Sequence, residues 1–125
     1  MKKGLAEINE LEGVWGSFIC NNQGGLIDSA PPPDFNKSAL ENIARHSVEL
    51  LSTGAESVQG LKEVVMHFQE KRLFVLDMQQ AVLVVLCTPN IDISLLRLTI
   101  NIITSRWEED KKVQKLLSKN YLERL

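Results

Sequence analysis

The sequence predicts an α+β fold, a three-layer α/β/α sandwich around a five-stranded antiparallel sheet in the order 2-1-5-4-3. Three observations carry this. From Leu61 to Thr88 run three blocks rich in Val, Leu and Phe, broken only at Glu70-Lys71 and Met78-Gln79-Gln80. Such breaks are too short for helical crossovers, so these strands form an antiparallel meander. Ahead of them, Val14 to Asn21 and Leu26 to Ser29 flank a glycine-rich turn and read as two further strands. Around both groups lie apolar repeats of helical period.

Taken in order, Leu5, Ile8 and Leu11 alternate with Glu7, Glu10 and Glu12 as a short amphipathic helix that Gly13 would stop. A helix this short needs an apolar surface to lie on. In Val14 to Asn21, Trp15 and Ile19 fall opposite Val14, Phe18 and Cys20, so both faces want cover. Asn22-Gln23-Gly24-Gly25 turns the chain. Leu26 to Ser29 returns, and Pro31-Pro32-Pro33 ends it, which puts that strand at a sheet edge.

Asp34 or Asn36 caps the next helix, Lys37 to Thr53, with Leu40, Ile43, Ala44, Ser47, Leu50 and Leu51 on its core face and Gly54 as a stop. Arg45, Glu49 and Ser52 point the opposite way. Between these faces runs a flank of Ala39, Asn42, His46 and Thr53, suited either to solvent or to a second copy.

Ala81 to Cys87 is almost continuously apolar, which means cover on both faces and a central place beside Val14 to Asn21. Leu61 to Gln69 carries Lys62, Glu63, His67 and Gln69 and reads as the other edge. Asp92 or Asn90 caps a last helix from about Ile93 to Leu117. Its stripe of Ile93, Leu96, Ile100, Ile103 and Trp107 faces the sheet. A second stripe, Leu95, Leu98 and Ile102, implies another partner, for which the N-terminal helix is the candidate. The terminal helices share one face of the sheet and the middle helix takes the other. Residues 1–125 make one domain, with 108–125 a charged helical or fraying tail; Glu108 to Lys112 is solvated and Tyr121 to Leu125 frays.

Composition narrows the classes. In 125 residues, 14 basic against 16 acidic side chains give a net charge of −2, without the basic field of a nucleic-acid binder. No stretch reaches the ~20 apolar residues of a membrane span. The N-terminus lacks the unbroken apolar segment of a signal peptide. A cytoplasmic protein with no nucleic-acid partner and no membrane insertion is expected. Cys20 and Cys87 sit in apolar runs without metal-ligand spacing and read as buried thiols.

Leu11-Glu12-Gly13-Val14-Trp15-Gly16-Ser17-Phe18-Ile19, the Gly24-Gly25-Leu26-Ile27 turn and Leu95-Leu96-Arg97-Leu98 together resemble the Roadblock family, which includes the dynein light chain Roadblock and bacterial MglB. Each motif alone is weak; their order and spacing are specific, and the likeness spans Leu5 to Leu117. The resemblance, to a prokaryotic member, implies a profilin- and longin-like fold that homodimerises by joining sheets edge to edge while the middle helices lie side by side. By position the seam falls on Val64, Val65, Met66, His67, Phe68 and Gln69, with Ala39, Asn42, His46 and Thr53 on the helix. It further implies a small Ras-like GTPase as partner. The triple proline and the charged tail depart from the family pattern.

Catalytic chemistry has no constellation to rest on. There is no phosphate-binding loop, and Gly24-Gly25 opens a strand rather than a helix. His46 and His67 lie on different elements, and Ser17 and Ser29 lack a nucleophile elbow. Trp15 and Trp107 read as buried anchors. No cofactor or metal is expected. The readings are a non-enzymatic GTPase regulator, a structural adaptor of the same architecture and, third, a small-molecule sensor domain.

Overall fold

A computed structural model describes residues 1–122, excepting the side chains of Phe68 and Leu122. The elements are α1 (Lys2–Asn9), β1 (Val14–Cys20), β2 (Leu26–Ala30), α2 (Lys37–Ser57), β3 (Glu63–Phe68), β4 (Lys71–Asp77), β5 (Val82–Cys87), α3 (Ile93–Glu109) and α4 (Lys111–Leu122). The five strands form one antiparallel sheet in the order β2-β1-β5-β4-β3, as the sequence predicts.

β5 holds the centre because all six of its side chains are apolar and buried. Alternation sends Leu83, Val85 and Cys87 to one face, with Leu5, Ile8, Leu96, Ile100, Ile103 and Trp107 of the terminal helices. Val82, Val84 and Leu86 go to the other, with Leu40, Ile43, Ala44 and Leu51 of α2. The two core layers are thus separated by the sheet itself.

Several elements depart from expectation for local reasons. β1 is bulged between Val14 and Gly16, since Val14 opposes Cys87 while Gly16 opposes Leu86. The extra residue, Trp15, shifts the alternation, so Val14 packs with the α1/α3 layer rather than beside Phe18 and Cys20. Trp15 itself is 43% exposed and not a buried anchor, whereas Trp107 is buried. Pro32 does more than end β2. It sits on Gly16, where a Cβ would lie 2.4 Å from the Pro32 Cδ.

Gly54 does not stop α2, which runs on to Ser57. Its missing side chain makes room for Leu61, whose Cδ2 would meet a Cβ at 2.5 Å. Asn36 caps the start of α2, its Oδ1 accepting from the Ala39 N–H at 2.8 Å. Nor does Gly13 end α1; the helix closes at Glu10, and Gly13, at φ +93°, turns the chain into β1.

The last helix is two helices. Asp110 adopts extended backbone after α3, and its Oδ1 accepts from the Lys112 and Val113 N–H groups, which starts α4. Val113 and Leu117 are buried beside Trp107, so the tail is anchored, although Glu108 to Lys112 are exposed as expected. Tyr121 and Leu122 are helical; the rest of the segment expected to fray, 123–125, lies outside the described residues.

Among the described residues the second α3 stripe has no partner. α1 packs instead under the core stripe of α3, where Gly4 lets Trp107 approach to 2.7 Å of a would-be Cβ. Leu95, Leu98 and Ile102 are left 47%, 58% and 53% exposed.

Candidate functional site

The site is the open edge of β3 together with the groove between that strand and α2. Its backbone direction follows from one bond. The Asp77 N–H donates to the Lys62 carbonyl at 2.7 Å, and Glu63 opposes Leu76 in the register that follows. Because antiparallel bonding alternates, Val64, Met66 and Phe68 turn their backbone groups to β4. Glu63, Val65 and His67 therefore turn theirs outward, where no further strand lies. Among the described residues, these outward groups have no partner.

Side chains alternate with the same period. Val64 and Met66 face the α2 layer. Glu63 faces α3, where its carboxylate takes the Arg97 guanidinium in a forked pair, with Nε at 2.9 Å and Nη2 at 2.6 Å from Oε2. Val65 and His67 share that face and are exposed. Gln69 forms the β3–β4 turn at φ +55°.

On the α2 side, Asn42, Ile43, His46, Glu49, Leu50 and Thr53 face Met66 and Leu73 across a groove of about 750 Å³. The structure thus brings together Asn42, His46, Thr53 and Met66 of the residues singled out by sequence. Ala39 stands one turn away and is half-buried, while Val65 and His67 point to the opposite face of the sheet. The side chain of Phe68 lies outside the described residues.

Glu49 and Leu50 were missed as groove residues. Leu50 is only half-buried rather than core, because it stands at the margin of the apolar stripe beside Thr53. The helix is steadied at this face by the β1–β2 hairpin. Gly24, at φ +87°, lies against Arg45, whose guanidinium hydrogen-bonds Asn42. Asn21 shapes that hairpin, its Oδ1 accepting from the N–H groups of Gln23 and Gly25.

A second concavity of about 420 Å³ opens where Trp15 and Phe35 flank Lys71, beside Pro32 and Pro33. The Lys71 ammonium stands 4.1 Å from the Trp15 ring centre and 5.3 Å from that of Phe35, so this aromatic pair already holds a cation.

The groups considered for chemistry are dispersed. His46 is on α2 and His67 on the opposite face of the sheet. The buried Ser17 hydroxyl donates to Asn9 Oδ1 at 2.8 Å. Burial pushes the Cys20 thiol up to about 12 and the Cys87 thiol to about 11, far from a thiolate at neutral pH. Among the described residues no group of three or more His, Cys, Asp or Glu could hold a metal ion. No described helix is long and apolar enough to cross a membrane.

No protein-family model and no curated protein matches the sequence. Solved structures do match the fold. A Roadblock/LC7 domain from Streptomyces avermitilis superposes with a TM-score of 0.75 at 14% identity, over 87% of this chain and 95% of that one. The gliding protein MglB from Thermus thermophilus gives 0.71 at 12%, over 94% and 88%. MglB from Myxococcus xanthus gives 0.69 at 18%, over 92% and 90%. Identity this low speaks for architecture, and it agrees with the resemblance carried by the β1, hairpin and α3 motifs. The chain has the Roadblock/LC7 fold.

Proposed function

We propose that this protein is a homodimeric regulator of a small Ras-like GTPase, assembled through the β3 edge and α2. The single observation that carries it is the bare edge of β3 running into the α2 groove. Two copies related by a twofold axis would exchange backbone bonds at Glu63, Val65 and His67 and continue the sheet. Asn42, His46 and Thr53 would meet the second α2 across the same axis, with Gln69 and Phe68 at the seam's end and Ala39 beside it.

The GTPase reading draws on the likeness to MglB and on the kind of surface present. A regulator acts through unequal affinity for two states of its target, and each tenfold inequality is worth about 1.4 kcal/mol. Such a role needs shape and apolar contact rather than acids and bases. In this reading the protein performs no nucleotide chemistry itself.

Two measurements test it. Val65→Pro removes an outward N–H without touching the ladder to β4. The mass in solution should fall from two chains to one with the far-ultraviolet spectrum unchanged; a folded variant that stays dimeric places the seam elsewhere. Purified Ras-like GTPases should then be retained by the immobilised wild type, with GTP turnover altered. Retention with unaltered turnover selects the adaptor reading, and no retention across the panel removes the regulator reading.

A further inference from the structure

Trp15, Phe35 and Lys71 come from three separate parts of the chain and meet on the α2 face of the sheet. Unbroken alternation would send Trp15 to the other face with Ser17, which bonds α1, and Ile19, which joins the α1/α3 core. The bulge between Val14 and Gly16 turns it to the α2 side instead. Phe35 packs against the α2 layer, and its N–H donates to the Pro32 carbonyl at 3.2 Å. Pro32 is in turn seated on Gly16. Both rings are thus fixed beside the β2 edge of the sheet.

Lys71 belongs to the opposite edge. It opens β4, pairs with Phe68 at the end of β3, and shares a face with Leu73 and Val75. β5 lies between β4 and β1, so its side chain spans a strand to reach Trp15. The ammonium stands 4.1 Å and 5.3 Å from the two ring centres, inside the ~6 Å over which aromatic faces attract a cation. Asp34 lines the same concavity and Glu70 precedes Lys71, yet Lys71 forms no ion pair among the described residues. The rings, not a carboxylate, hold the ammonium.

We infer that Lys71 is a charge-dependent clasp, through which the Trp15–Phe35 pair positions the end of the β3–β4 hairpin. Leu73 and Met66, next along the same face, line the groove against α2. Phe35 stands just ahead of the Asn36 cap of α2. One cation therefore joins the lead-in of α2 to the hairpin that carries the open edge. The clasp belongs to the single chain; its bearing on a second copy rests on the β3 reading. A strand added at β3 would be felt at Trp15, since such coupling is reciprocal.

Hydrogen exchange tests the clasp. Lys71→Met keeps the aliphatic length without the charge, and Lys71→Arg keeps the charge. In Lys71→Met, amides of residues 66–72 and of residues 34–38 should exchange together, about three- to tenfold faster than in the wild type. Acrylamide should also quench Trp15 more strongly in that variant, Trp107 being buried. Lys71→Arg and Asp34→Asn should match the wild type. Faster exchange in the hairpin alone, equal effects of the Met and Arg variants, or a comparable effect of Asp34→Asn overturns the inference. In a dimeric wild type, Lys71→Met should weaken association by a similar factor, and unchanged association overturns the link to the edge. A wild type that is monomeric by mass removes the β3 reading and leaves the exchange rates to decide the clasp.

Discussion

The two edges of the sheet are finished in opposite ways. At β2 the chain supplies its own closure. Asn9 donates its side-chain amide to the Ala30 carbonyl at 2.9 Å, Lys2 reaches Asp28, α1 lies alongside, and the prolines cross onto Gly16. At β3 there is a row of outward backbone groups and, among the described residues, one ion pair, Glu63–Arg97. Natural sheets cover, charge or shorten their edges to block pairing. This one does so on one side only, so the bare side is exposed by construction rather than by neglect.

Breaking the closed edge should cost most. Gly16→Val drives a side chain into Pro32 and should destabilise by at least ~2 kcal/mol in a urea titration, with the β2 crossover freed to proteolysis. Asn9→Ala takes the side-chain donor from the Ala30 carbonyl and leaves the buried Ser17 hydroxyl only the longer 3.3 Å contact to the Leu5 carbonyl; about 1–3 kcal/mol is expected from the same titration. Glu63→Gln at the open edge should lower the melting temperature far less, and about 1 M salt should erase the difference, since Arg97 is half exposed.

The smallest effect belongs to Glu7, which helps hold α1 in place. The Arg106 hydrogen bond keeps its carboxyl below the ordinary value of 4.5. Its contribution is therefore fully present above that value and is lost as pH falls through the lower folded one. Thermal scans of wild type and Glu7→Gln should differ slightly at pH 7 and converge in strong acid. A gap that widens in acid would contradict the assignment.

Strand order was legible because burial writes itself into composition. The unbroken apolar run of β5 could only be central, and the charges of Leu61 to Gln69 only peripheral. Helix existence was legible for the same reason, while helix ends were not. Gly54 looked like a stop, yet the space it leaves is taken by Leu61. Asp110 looked like one charge among five, yet its side chain caps α4.

The stripe Leu95, Leu98 and Ile102 was expected under the N-terminal helix and lies exposed instead, because a periodic pattern shows which residues share a face without showing what meets it. Trp15 was misplaced by a bulge that alternation cannot foresee. Of the candidate site, the edge was visible in sequence. The groove was legible in part: Asn42, His46, Thr53 and Met66 were singled out, whereas Glu49 had been placed on the solvent face and Leu50 in the core.

The fork at Glu63 and the turn at Gln69 stand at opposite ends of β3, and together they fix its phase. Gln69 holds a positive φ at a position where tight hairpins favour glycine, so the turn tolerates one arrangement of the strands it joins. Glu63 is held by Arg97 on the opposite helix. A slip of one residue would carry His67 and Val65 into the α2 groove and put Val64 and Met66 on the other face. An edge strand keeps its side chains in one frame only where its register is held, and these two pins act as the strand's reading-frame lock.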